Sequence, residues 1–156
     1  MKNKLRMIMV IVGISLIFII VRGAFESAAS DSSIVRSDVD VWIQKNFAHS
    51  EKLQALLRQA AVDYQFLLTQ VDDREKSIKA YNQLMRSQYC GQYISKSLFS
   101  RSPDIFDQLL AQILNSYSLS RAWIRANKNM VGVPFYNLPE SQWKNGCRFD
   151  PDRMSK

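Results

Sequence analysis

The 156-residue chain is poor in the residues on which much site chemistry depends: five glycines, four prolines, two cysteines and a single histidine. So few glycines exclude a loop that cradles phosphate with its backbone N–H groups, and no glycine-rich fingerprint occurs. The one histidine, His49, leaves a serine triad without support, because no serine elbow accompanies the only candidate base. Zinc is also short of ligands, since two cysteines and one histidine supply three at most where about four are needed. His49 therefore reads as an ordinary polar residue in a turn between helices. Asp72, Asp73 and Glu75 read as a solvated turn rather than a cation site. No metal, cofactor or catalytic residue is expected.

Long apolar runs are lacking too, with one exception. The segment "MKNKLRMIMVIVGISLIFIIVRGAF" has a basic start and an uncharged run from Met7 to Val21. At about 1.5 Å per residue this run covers roughly 22 Å, short of the ~30 Å hydrocarbon core unless its flanks extend it, with Arg6 and Arg22 snorkelling. Residues 5–25 are thus expected to be a membrane anchor or the apolar core of a signal peptide. Ser27 and Ala29 offer a cut before Ser30, whereas Arg22 and Glu26 interrupt the region ahead of it. More positive charge lies before the run than after it, which places the N-terminus in the cytoplasm and the rest outside. The expected location is the inner (cytoplasmic) membrane, single-pass, with the body extracytoplasmic. If cleaved after Ala29, the body is periplasmic or secreted.

The expected organisation is an anchor or signal over 1–29, a linker over 30–36, a helical bundle over 37–128 and an irregular tail over 129–156 packed on that bundle. Ser37, with Asp40 three residues on, reads as a helix start. Neither glycine nor proline occurs between Ser50 and Cys90. Across this span Leu53, Leu57, Ala60, Tyr64, Leu67, Val71, Arg74, Ile78, Tyr81, Met85 and Gln88 follow a 4-3 spacing. "VDDRE" at 71–75 breaks the stripe and marks a turn or bend. Apolar residues around Phe66 widen the stripe beyond a two-residue seam, which favours a bundle over a coiled coil. The narrower section at 78–88 is the candidate homodimer seam. Ser102, Pro103, Asp104 and Asp107 read as the start of a further helix running towards Met130, with Phe106, Leu110, Ile113, Tyr117 and Ile124 on one side.

In an oxidising compartment two thiols in a small domain pair, so Cys90 and Cys147 are expected to form a disulfide tying tail to bundle. They lie too far apart in sequence for a redox motif. Glu140 and Ser141, in "PESQW", resemble the Glu-Ser pair of lytic transglycosylases, whose glutamate is the catalytic acid. A dipeptide is too short to assign that role here.

Charge is uneven: residues 30–75 hold 5 basic and 8 acidic groups, residues 76–156 hold 12 and 5. The basic residues are scattered, which argues against nucleic acid and leaves an anionic membrane or acidic protein surface as the complement. Arg121, Trp123, Arg125 and Lys128, with Phe135, Tyr136 and Trp143 of the tail, form the candidate protein-binding surface, since aromatics and arginine anchor interfaces. The alternative for Trp123 and the tail aromatics is the core. The function expected is a non-catalytic binding or assembly component of a cell-envelope complex with an unidentified envelope partner. An inhibitor or immunity-type protein blocking an envelope enzyme is the alternative, and a phage-type inner-membrane spanin shares the layout.

Overall fold

A computed structural model describes residues 34–99, 104–134 and 137–154. All regular structure among them is helical: α1 (Ser37–Asn46), α2 (Glu51–Thr69), α3 (Arg74–Ile94), α4 (Ile105–Ile113) and α5 (Tyr117–Asn129), with short 3-10 segments at Lys96–Phe99 and Glu140–Gly146. None of these helices is long and apolar enough to cross a membrane. The candidate span at residues 5–25 lies outside the described residues.

Local chemistry sets most helix ends. Ser50 Oγ accepts from Leu53 N–H, Asp73 from Lys76 N–H, and Asp104 from Phe106 and Asp107 N–H. Each oxygen satisfies backbone donors that the first turn leaves without partners. Ser37 is not a cap: it is the first residue of α1, and Arg36 holds the cap position without a side-chain bond. Asp104 likewise caps α4 rather than lying in its first turn, and Ser102 and Pro103 lie outside the described residues.

The expected turn in "VDDRE" falls at 70–73 and joins α2 and α3 into an antiparallel pair. Ser77 Oγ and Asn129 Nδ2 donate to the Gln70 and Val71 carbonyls there, at 2.8 and 3.0 Å. The turn also resets the helical phase. In α2 the stripe holds, with Leu57, Ala60, Tyr64 and Leu67 buried. In α3 the buried positions are Ser77, Ala80, Leu84 and Ser87, with Tyr89, Cys90 and Gly91 near its end, not the half-buried Ile78, Tyr81, Met85 and Gln88. A period extrapolated through a turn keeps its spacing but loses its direction.

The helix expected from 104 towards 130 is in fact two. It breaks at 114–116, where Ser116 caps α5 by accepting from Leu119 N–H. The Arg36 guanidinium covers the end of α4, donating to the Gln112 and Ile113 carbonyls at 2.9 and 3.1 Å while gripping Asp38. That grip holds the Asp38 carboxyl below the usual carboxylate value. The break turns Tyr117 and Ile124 outward, so they do not continue the buried side of Phe106 and Ile113.

Helix α2 is central, packing against α1, α3, α4 and α5. Its Leu56, Leu57, Ala60, Ala61, Tyr64 and Leu67 meet Val39 and Ile43 of α1, Leu84 of α3 and Phe106, Leu109 and Ile113 of α4 in one core. Phe66, Trp42 and Trp123 pack half-buried against its margin. Because Leu57 is fully buried, Leu57→Ala is expected to cost about 2–5 kcal/mol. Urea unfolding measures this, and a change below about 0.5 kcal/mol, the range of surface substitutions, would place Leu57 outside the core.

Candidate functional site

Two features stand out once the core is accounted for: a buried polar seam where the tail docks, and an uncovered face of α5.

The seam begins with two polar residues one turn apart on the central helix. Gln59 is 7% exposed and Asp63 is fully buried. A buried polar group without partners costs several kcal/mol, so both positions demand bonding neighbours. Asp63 accepts from Ser87 Oγ at 2.5 Å, from Gln83 Nε2 at 2.9 Å and from the Arg148 guanidinium. Gln59 Nε2 donates to Ser87 Oγ and to the Gly146 carbonyl, both at 2.8 Å, and its Oε1 accepts from Arg148 N–H at 2.8 Å. Among the described residues no buried side-chain nitrogen or oxygen is left without a partner. Three of these bonds come from the tail, so the tail completes the interior of the bundle.

Close approach makes this possible. A Cβ on Gly146 would sit 2.2 Å from the Arg86 carbonyl oxygen, so only glycine lets the tail lie against α3. One residue on, the expected disulfide is present: Cys90 and Cys147 are joined with Cα atoms 4.8 Å apart, and among the described residues no cysteine is free. Closing a loop with a sequence separation of 57 stabilises by about 4 kcal/mol in the chain-entropy model. Further out, Lys144 Nζ lies 2.6 Å from Asp152, which also accepts from the Tyr93 hydroxyl. Lys144, and then Tyr93, hold the Asp152 carboxyl low.

Of the expected binding residues, the structure brings some together and separates others. Trp123 turns inward, its ring edge-on to Tyr64 with centroids 5.8 Å apart. Burial pushes the Tyr64 hydroxyl well above its ordinary value. Arg125 is exposed and paired with Asp72 at 2.6 Å. Arg121 and Lys128 are exposed beside Tyr117, Ile124 and Val131. Positions 117, 121, 124 and 128 follow the 4-3 spacing of one helix face, and Val131 lies just past its end in the following turn. Trp143 is apart from them: it is half-buried, bonded to the Leu138 carbonyl and overlaid by Lys96 at 5.5 Å. Arg125 lies by the α2–α3 turn and Trp143 by the far end of α3, whose 21 residues measure about 30 Å. Phe135 and Tyr136 lie outside the described residues.

Gln59, Asp63, Ser87 and Arg148 were not signalled as a set in the sequence. The available sign was two polar residues one turn apart on a face of α2 that otherwise carries leucine and alanine. Among the described residues, no group of His, Cys, Asp and Glu is arranged to hold a metal ion. Compared with protein-family models, curated proteins and solved structures, the chain matches none.

Removing Arg148 strands a buried carboxylate. Because Arg148 is 44% exposed, Arg148→Ala is expected to cost about 2–4 kcal/mol, reduced from the roughly 3–5 kcal/mol of a fully buried pair. Asp63→Asn added to it is expected to recover part of that loss in urea unfolding. A single-variant loss under about 0.5 kcal/mol would mean that water replaces the guanidinium. A carboxyl held low favours the docked tail above its ordinary value and loses that contribution as pH falls through its lowered one. Amide protection over residues 144–153, taken relative to the intrinsic exchange rate at each pH, is therefore expected to fall below pH 3.8, the ordinary aspartate value, before protection in α2 does. Tail protection unchanged at low pH would show that the Lys144–Asp152 contact does not hold it.

Proposed function

We propose that the protein is held in the membrane by residues 5–25, presents residues 34–154 outside the cytoplasm, and serves as a non-catalytic binding or assembly component of a cell-envelope complex. The observation carrying this reading is the outer face of α5. Tyr117, Ile124 and Val131 are 77%, 67% and 73% exposed, and they alternate with Arg121 and Lys128. Two of these large apolar side chains lie on a short helix and the third, Val131, in the turn that ends it; left exposed among the described residues, they favour a partner surface. The Arg121 guanidinium lies over the Tyr117 ring at 5.7 Å, so the basic and aromatic groups form one patch. Its complement is an apolar groove edged with Asp and Glu on another envelope protein, because such a rim meets Arg121 and Lys128 while the groove takes Ile124. The disulfide supports the compartment, since such bonds persist in oxidising surroundings.

Photo-crosslinking in the native host tests this directly. A photoreactive residue at Ile124 is expected to give one discrete adduct that stays with carbonate-washed membranes. Arg121→Glu with Lys128→Glu is expected to remove it while the melting temperature holds. Equal labelling from Ala111, on the exposed side of α4, or an adduct released by the wash, would sink the reading.

A further inference from the structure

The docked tail does more than complete the core. Between it and α3 it leaves an open groove of about 520 Å³, within the size range of small-molecule sites. Lys79, Asn82, Gln83 and Arg86 of α3 line one side, at the spacing of a single helix face, and Asn145 and Arg148 of the tail line the other. Three cations and three carboxamides meet there, and no carboxylate of the described residues lines the groove. None of this involves the outer face of α5.

The charges are disposed to receive an anion. Asp63, behind the groove, is fully buried and has its oxygens occupied by Ser87, Gln83 and Arg148, so none of its surface is open to the groove. Several cations elsewhere are held close to a carboxylate: Arg58 to Asp40 at 2.6 Å, Lys96 to Glu140 at 2.7 Å, Lys144 to Asp152 at 2.6 Å. Arg86, by contrast, has no carboxylate of the described residues within 4.0 Å. Lys79 meets only Glu75, at 3.3 Å, with both side chains largely exposed. Exposed pairs of this kind are weak and yield readily to a better anion.

The groove is also held in shape before any ligand arrives. Gln59 fixes the Arg148 backbone, Asp63 fixes one of its guanidinium nitrogens, and the adjoining Cys147 is tied to α3. Arginine carries five N–H donors, so Arg148 retains donors for the groove. Gln83 spends its amide nitrogen on Asp63 and keeps its carbonyl oxygen. Two guanidinium forks with an ammonium between carboxamides suit two or more carboxylate or phosphate groups on a scaffold of hydroxyls or amides.

We propose that this groove binds a small polyanion carrying two or more carboxylate or phosphate groups, with Arg86 and Arg148 as its principal contacts and Lys79 as a supporting charge.

Calorimetric titration of the full chain in uncharged detergent micelles, with citrate and with pyrophosphate as probes, decides the matter. Saturable one-to-one binding is expected with a Kd of about 1 mM or tighter. Arg86→Gln with Lys79→Gln is expected to weaken it at least about tenfold by removing two charge-assisted contacts. Both positions are exposed, so the fold is retained. Arg121→Glu with Lys128→Glu is expected to leave it unchanged. Tighter binding of citrate assigns carboxylates to the ligand, and tighter binding of pyrophosphate assigns phosphates. No saturable heat from either probe up to about 20 mM, or equal affinity in the Arg86→Gln, Lys79→Gln variant, would overturn the assignment.

Discussion

A carboxylate cut off from water has to be met by donors, and in this protein that requirement falls on Asp63. The central helix carries it on the side facing α3, one turn from Gln59, among leucines and alanines that exclude solvent. Helix α3 answers with Ser87 and Gln83, both neutral. The remaining demand is for positive charge, and it is met from 85 residues away, by Arg148. The C-terminal segment is thereby drawn into the fold, although it has little regular structure of its own.

Other features of the tail follow from that docking. Gly146 lies where a Cβ would collide with the Arg86 carbonyl, so the backbone can come close enough for Gln59 to hold it on both sides of Cys147. The disulfide then closes over a geometry that the polar bonds already favour. It acts chiefly on the unfolded chain, by shortening the excursions of the tail, whereas the Asp63–Arg148 pair acts on the folded state. The two are complementary: a staple without the network would leave a buried charge, and a network without the staple would have to order a long loop by itself.

The helices were largely legible in the sequence because their causes are local. Ser50, Asp73 and Asp104 act on N–H groups two or three residues away, and the 4-3 stripe of α2 needs only that one helix. The turn at 70–73 could be read from the interrupted stripe. Less could be read beyond it. The buried face of α3 is small and polar, with Ser77, Ala80 and Ser87 around Leu84, so hydrophobic spacing pointed to the neighbouring Ile78, Tyr81 and Met85. The division of α4 from α5 was hidden for a similar reason: Asn115 and Ser116 look like tolerable interior residues until Arg36 is seen covering the α4 carbonyls from 77 residues away. Of the candidate binding residues, Arg121 and Lys128 were placed together by helical spacing alone, while Trp123 turns half-buried to the margin of the core, where Tyr64 lies against it.

What the sequence by itself determined is therefore the set of effects that act within about one helical turn: the helical class, the short-range caps at Ser50, Asp73 and Asp104, the wide apolar face of α2, and the presence of two cysteines suited to pairing. Only the tertiary structure decided which side of α3 faces inward, that Asp63 and Gln59 wait for Arg148 and Gly146, that α5 and the turn after it keep Tyr117, Ile124 and Val131 exposed, and that a cationic groove opens beside the tail. Those outcomes depend on groups brought together across some 20 to 90 residues. No local period records such meetings, because their free energy comes from burial and charge compensation that exist only once the helices have packed.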